Sequence, residues 1–468
     1  MTTPTHASCR RGPAKPNGPS RKATATAAGG LFFPQSKSLG LDQSESSPAL
    51  LQKITYAGTA GRSFAEASAT LHHLADLAVD PKQVERVTER IGAERVAERD
   101  AQAAAFQALP LVEKFRAPPG PAAPDLAVVM ADGGRLQILD RAPPPAPAPT
   151  EPQPAAAAAD PGWDEEPPPA AGHWREDKVA LLLTMKSTAA AVDPCPDIPA
   201  GFLDVVRIPK LARQLKKNVR ASEDAVADSD APEAAADVLR EQAYEPPEVL
   251  TRQVVASRGC WPAFAPLVAA AAWALALQGA TRRAFVGDGS ANNWTLQRRF
   301  FGSFVPILDF IHALSYVFAA ATAGRKFAEG WACYREWIGW VWQGQVSLVI
   351  AALSQRQAEL GLPEKDEAET SPRQVVSKTL TYLENHQDKM QYDAYRKDGL
   401  PLTSSLMESA VKQINQRVKG SEKFWSEAGS EAVLQLRADQ LSDGEPLADF
   451  WQRRQATATG QRRYRRPA

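Results

Sequence analysis

Cysteine is scarce. The chain of 468 residues has only Cys9, Cys195, Cys260 and Cys333, far apart and with no CxxC pair. That excludes a cysteine zinc site and a disulfide framework, and it suits a reducing compartment. Net charge is absent too, with 54 basic and 54 acidic side chains, so whole-chain charge argues for no partner. The basic N-terminus is not followed by an apolar run, so no secretory signal is visible. One uncharged stretch reaches the length of a membrane span: residues 261–280, WPAFAPLVAAAAWALALQGA. Nine of its residues are alanine and two are proline, and a strand-like segment follows almost at once. It reads as a buried core helix, and no membrane is expected.

A hydrophobic content of 44% is enough for real cores, and the length predicts roughly two to four domains. Charge is concentrated at the ends. Residues 1–23 hold Arg10, Arg11, Lys15, Arg21 and Lys22 with no acid, and Arg453 to Arg466 hold six arginines with no acid. Blocks of this kind are solvated tails that often meet nucleic acid.

Composition and periodicity divide the chain. Residues 1–40 read as a disordered basic N-terminus. Residues 41–117 read as helical. Phe64, Ala67, Leu71 and Leu74 share one stripe, Asp80-Pro81 restarts the chain as N-cap and first helical residue, and Val84, Val87 and Ile91 share a face. The helical pair at 60–100 fits either a helix-turn-helix or a plain helical hairpin. Residues 118–312 change period. DLAVVMADGGRLQIL (125–139) reads as strand, Asp-Gly-Gly turn, strand; KVALLLTMK (178–186), RAFVGD (283–288) and VPILDF (305–310) read as three more strands. Two loops are expected here, Pro/Ala-rich at 142–172 and acidic at 221–248. A Trp-containing helical insertion fills 313–400, final helices fill 401–450, and a basic tail fills 451–468. The fold class expected is α/β, with an antiparallel meander joined by two parallel strands. That is the strand order of a ribonuclease H-like core, here with a mixed five-stranded sheet, an all-α insertion and an α-helical N-terminal region.

Three carboxylates sit where that architecture brings segments together: Asp132 at the first strand, Asp288 at the fourth, and Glu408 on the final helix. Each has a plainer reading: a hairpin turn at Asp132-Gly133-Gly134, a cap at Asp288-Gly289-Ser290, a capping box at Ser405-x-x-Glu408. Together, their order and placement point to a metal site. Clustered carboxylates repel unless a cation relieves them, and hard oxygen ligands suit Mg²⁺ or Mn²⁺. Two such ions could drive phosphodiester chemistry. Lys412, Asn415 and Lys419 follow Glu408 at helical spacing and, with Arg417, could meet DNA phosphates. The tryptophans, Trp294 included, read mainly as core.

The chain resembles DDE transposases of bacterial insertion sequences, in the neighbourhood of the Mutator-type enzymes. The resemblance covers about 120–450. It is carried by VVMADGGRLQI, HWREDKVALLLTMKS, VGDGSANNW, VPILDFIHALSYVFAAA and the stretch from LPLTSSLMESAVKQINQRVKGSEKFW onward. Asp309-Phe310-Ile311-His312 is similar to that family's (C/D)-x-x-H signature, and Arg417 to Trp425 to the segment after its glutamate. The resemblance implies a cytoplasmic, DNA-associated bacterial enzyme that cuts and joins double-stranded DNA at terminal inverted repeats and at target DNA, as a homo-oligomer on DNA. It implies Asp132, Asp288 and Glu408 as catalytic metal ligands for two Mg²⁺ (or Mn²⁺) ions, with Asp309 and His312 as the signature pair. Asp309 is a rival for the second aspartate. Expected DNA contacts are Lys412, Asn415, Arg417, Lys419, Arg453, Arg454, Arg462 and Arg463. The competing readings are a non-catalytic DNA-binding derivative of such an enzyme and a ribonuclease H-like nuclease.

Overall fold

A computed structural model of the chain describes residues 46–139, 162–163, 173–220 and 246–458, with short strands at Ala23–Thr24 and Leu31–Phe32. Side chains of 214 and 216–220 are not described. The expectations for residues 1–40, most of 142–172, 221–245 and the tail beyond 458 lie outside the described residues.

Three helices open the described chain: α1 (Pro48–Ala60), α2 (Phe64–Ala75) and α3 (Pro81–Ala108). Asp80 caps α3 by accepting from the Lys82 amide, with Pro81 in the first turn, as its sequence predicts. Leu74 departs from the expected stripe and is 84% exposed. The helix stops at Ala75 with Asp76 in the left-handed region, and Leu77 and Val79 of the following turn pack in its place.

The centre is a mixed sheet of β1 (Leu126–Ile138), β2 (Trp174–Lys186), β3 (Glu248–Ser257), β4 (Arg282–Gly287), β5 (Val305–Leu308) and β6 (Phe424–Trp425). The order is β3-β2-β1-β4-β5, with β6 beside the far end of β1. β1, β2 and β3 are antiparallel neighbours, and β4, β5 and β6 are added in parallel. The sheet thus has six strands rather than five.

Asp132-Gly133-Gly134 is not a hairpin turn. It runs through the middle of β1, one continuous strand paired with β2 from Leu126↔Met185 to Gln137↔Trp174. Tertiary packing explains the glycines. A Cβ on Gly133 would lie 2.7 Å from Glu176 Oε1, and one on Gly134 would lie 2.7 Å from Asp177 Oδ2. The third meander strand is β3, which begins where the expected acidic loop at 221–248 ends, in a stretch for which the sequence suggests no element. Its first residues are exposed, the apolar Val249 and Leu250 included, and only Val254, Val255 and Ala256 enter the core, so no alternation marks the strand.

Besides a single helical turn at Leu111–Lys114, the remaining α-helices are α4 (Arg207–Arg220), α5 (Trp261–Ala274), α6 (Ala291–Phe300), α7 (Phe310–Thr322), α8 (Phe327–Trp342), α9 (Val346–Leu360), α10 (Pro372–His386), α11 (Tyr392–Lys397), α12 (Ser405–Val418), α13 (Glu427–Leu441) and α14 (Pro446–Ala456). The apolar stretch 261–280 forms α5 and a short 3-10 turn inside the core. Among the described residues no helix is long and apolar enough to cross a membrane. α12 lies across β1 and β2, and α13 lies on β3. α3 packs on α13 so closely that a Cβ on Gly92 would lie 2.5 Å from the Ala432 carbonyl oxygen. An Arg95–Asp439 ion pair at 3.0 Å joins the same two helices. The helical pair read as a possible helix-turn-helix is therefore packed along one side onto the C-terminal helices.

Candidate metal centre

Parallel pairing of β1 with β4 ends at Met130↔Val286. Two residues further along each strand stand Asp132 and Asp288. Register therefore brings these carboxylates side by side where β4 stops and β1 runs on. Such a strand end, where chain connections diverge, is a recurrent ligand site in open α/β sheets. α12 crosses the same region and delivers Glu408, while β5 ends at Leu308 and delivers Asp309 and His312.

Asp288 is held in place. Its Oδ1 accepts from the Ser290 amide at 3.0 Å and from Asn293 Nδ2 at 2.9 Å. Asn293 also donates to the Ala131 carbonyl at 3.0 Å, tying the ends of β1 and β4 together. Among the described residues no donor reaches Asp288 Oδ2. Gly289 follows with φ of 102°, a left-handed conformation that favours glycine. Tyr382 also crowds it: a Cβ there would be 2.7 Å from the ring, whose hydroxyl donates to the Asp288 carbonyl at 2.9 Å. Asp288 does not cap α6, whose N-cap is Ser290; one of its carboxylate oxygens closes the turn that leads into the helix.

Asp132 accepts from the Gly133 amide at 2.7 Å through Oδ1. Burial, and then the neighbouring Asp288, push its carboxyl up to about 7, with Gly133 and His312 opposing. Burial, Asp309 and Asp288 likewise push Glu408 up to about 7, against His312. No capping box forms. Ser404 rather than Ser405 is the N-cap of α12, without a side-chain bond, and the Glu408 carboxylate is not spent on the backbone.

Asp309 is different in kind. Its Oδ1 accepts from the amides of Ile311 at 3.3 Å and Ser404 at 3.1 Å, and its Oδ2 from the His312 amide at 3.3 Å and His312 Nδ1 at 2.5 Å. Four donors occupy a fully buried carboxylate. It joins β5, α7 and α12. Burial works against the His312 cation, but the Asp309 bond and the charges of Asp309, Asp288 and Glu408 outweigh it and raise the ring to about 10.

Asp309, His312 and Glu408 each offer a ligand atom, all within 4.8 Å of one another, so this group could hold a metal ion. Hydrogen bonding ranks the candidates otherwise. The Asp309 oxygens are saturated and the His312 ring is engaged through Nδ1, whereas Glu408 and Asp288 Oδ2 are open. The donor chemistry of Asp132, Asp288 and Glu408, hard oxygens under mutual repulsion, suits a divalent cation, but unlike the Asp309–His312–Glu408 group their oxygens do not all lie within 4.8 Å of one another.

The expected DNA contacts separate. Lys419 is exposed, with its ammonium 6.0 Å from the centre of the Trp174 ring. Lys412 and Asn415 are half-buried. Arg417 is not at the surface. It is buried between the rings of Phe64 and Trp425 and donates twice to the Gly58 carbonyl, at 3.0 and 2.8 Å, which excludes phosphate contact. Arg453 and Arg454 lie on α14 rather than in a free tail, paired with Glu98 at 2.6 Å and Glu94 at 2.5 Å. Arg462 and Arg463 are outside the described residues. Trp294, Trp337 and Trp342 are core side chains.

Asn293, Tyr382 and Asp177 escape the sequence reading, because their roles arise where distant segments meet. No protein-family model matches the chain, and no curated protein matches it.

Proposed function

We propose that the chain is a metal-dependent DNA strand-cleaving and strand-joining enzyme, a DDE transposase of a bacterial insertion sequence with a ribonuclease H-like core. The observation that carries this reading is the convergence of Asp132, Asp288 and Glu408, from two strands and a helix, at the end of the parallel pair. The strand order and directions support the fold assignment.

In this reading Asp132, Asp288 and Glu408 hold the metal. Bound there, two ions of the Mg²⁺ class would supply charge to the attacking and leaving oxygens of a phosphodiester. The chain's own contribution is placement. Asn293 fixes Asp288 against β1, and Asp309 fixes His312 and the start of α12. Tyr382 props the Asp288 turn, and His312 keeps a positive charge against the carboxylates. Lys419 is an open cation on the same helix as Glu408, suited to a DNA phosphate.

The test uses DNA carrying the inverted repeats that flank the gene, with Mg²⁺. The wild type should nick and join it. Asp132→Asn, Asp288→Asn and Glu408→Gln should each lose at least about a hundredfold in rate while still shifting the DNA in a gel. Cutting without joining would favour a nuclease, and undiminished cutting by all three variants would remove the site.

A further inference from the structure

Asp177 of β2 is fully buried, and neither carboxylate oxygen has a hydrogen-bonding partner. Asn415 Oδ1, on α12, is buried and unpartnered as well. All three atoms approach one point. A Cβ on Gly134 would lie 2.7 and 2.8 Å from the Asp177 oxygens and 3.0 Å from Asn415 Oδ1. Three acceptors therefore gather over a glycine, and among the described residues no other residue donates to any of them; only Asp177's own amide lies near its carboxylate. Ionised, Asp177 would be a buried charge without a partner, set against an amide oxygen that repels it. One proton removes both faults.

We propose that below neutral pH Asp177 keeps its proton in the folded protein and donates it to Asn415 Oδ1, closing a carboxyl–amide hydrogen bond that holds α12 against β1 and β2. Asn415 lies two helical turns beyond Glu408 on the same face of α12. The bond therefore makes Asp177 a positioning residue for Glu408, and it gives Gly134 its reason, since any side chain there would enter the pair. The charged groups that act on Asp177 are Lys419 at the end of α12 and its strand neighbours Glu176 and Lys178, whose side chains leave from the other face of the sheet. β1 presents Gly134 opposite it, with Arg135 opposite Glu176 on the other face of the sheet. Burial pushes the Asp177 carboxyl up to about 7; its own amide, Lys178 and Lys419 oppose this, and Glu176 reinforces it.

The hydrogen bond stands apart from the strand-cleaving reading; its effect on Glu408 rests on that reading. Two measurements decide the bond without any DNA. First, infrared difference spectra of wild type against Asp177→Asn at pH 6 should show a protonated-carboxyl carbonyl band in the wild type only. Second, thermal unfolding of the same pair is followed from pH 4 to 9 in chelator. A folded-state carboxyl raised above its unfolded value stabilises most at low pH, and that contribution falls as pH rises to about 7 and then stays level. Asp177→Asn donates its amide hydrogen at every pH. The midpoint of the variant minus that of the wild type should therefore climb between about pH 4 and 7 and be flat above. A constant difference, or no carboxyl band, overturns the proposal. If DNA is cleaved, Asp177→Ala should lower kcat without weakening DNA binding, and Asp177→Asn should restore it. A chain that cleaves no DNA would sink the functional reading, while the spectra and melts still decide the bond.

Discussion

Asp288 and Asp309 are both aspartates just beyond a parallel strand, and the bonds they accept tell them apart. Four donors converge on buried Asp309, including the amide that opens α12. Asp309→Ala strands those donors, so it should cost about 3–5 kcal/mol of stability. Asp288→Ala should leave denaturant unfolding near wild type while ending metal-dependent cleavage. Equal stabilities for the two variants would mean that Asp309 does not hold these elements together. Protons and metal should also compete. Asp132 and Glu408 sit at about 7, so Mg²⁺ or Mn²⁺ binding, followed by calorimetry, should tighten from pH 6 to 8 and level off. In the metal-free protein His312 has the opposite sign. Its pKa is raised to about 10, so the stability it contributes is complete below its ordinary 6.5 and disappears as pH climbs through 10. The carboxylates and the Asp-x-x-His pair were legible because their chemistry and order are written locally. Asn293 was not, since its bond to Ala131 spans 162 positions, nor was Arg417, whose place between two rings depends on α2 meeting β6.

Local grammar misled at the level of elements where packing overrode it. Asp-Gly-Gly is good turn chemistry, yet β1 carries it through because the neighbouring strand brings Glu176 and Asp177 too close for side chains. β3 lacked a clear apolar alternation because it is an edge strand. By contrast, the Asp80-Pro81 start of α3 and the burial of α5 follow directly from local signals. Helix α3 offers a sharp test. Replacing Gly92 by Val forces atoms into the Ala432 backbone, which cannot yield as a flexible side chain would. Overpacking of this kind costs about 3 kcal/mol, and thermal denaturation should show it as a drop of several degrees. An unchanged midpoint would mean that α3 and α13 do not touch there.

At the scale of the whole molecule, the N-terminal helices share a core with the C-terminal ones: Leu51, Ile54, Val84, Val87 and Ile91 pack with Leu436, Phe450 and Trp451. A chain starting at residue 118 should therefore lose its cooperative unfolding transition. A sharp, wild-type-like melt of that truncated chain would show that the helices are dispensable to the fold. The arginine-rich end divides in the same way. Arg453 and Arg454 are engaged with Glu98 and Glu94, so replacing them should affect stability more than binding. Deleting residues 459–468 removes the remaining arginines and should flatten the plot of log affinity against log salt by about 0.9 for each phosphate no longer neutralised. Identical slopes would leave the tail without a part in DNA binding.

Part of each rim of the sheet is covered, and this bears on how copies of the chain can meet. Along β3, the backbone groups of Arg252, Val254 and Ala256 that point away from β2 bond to Asp443, Ser442 and Arg99. Along β5, the carbonyls of Pro306 and Leu308 accept from the hydroxyls of Tyr395 and Tyr392. A strand arriving from another molecule would find those backbone hooks already taken. Edge-to-edge stacking of copies into fibres is thereby hindered along the covered stretches. Copies that meet at these stretches would do so through helix surfaces and side chains, which can be tuned one residue at a time.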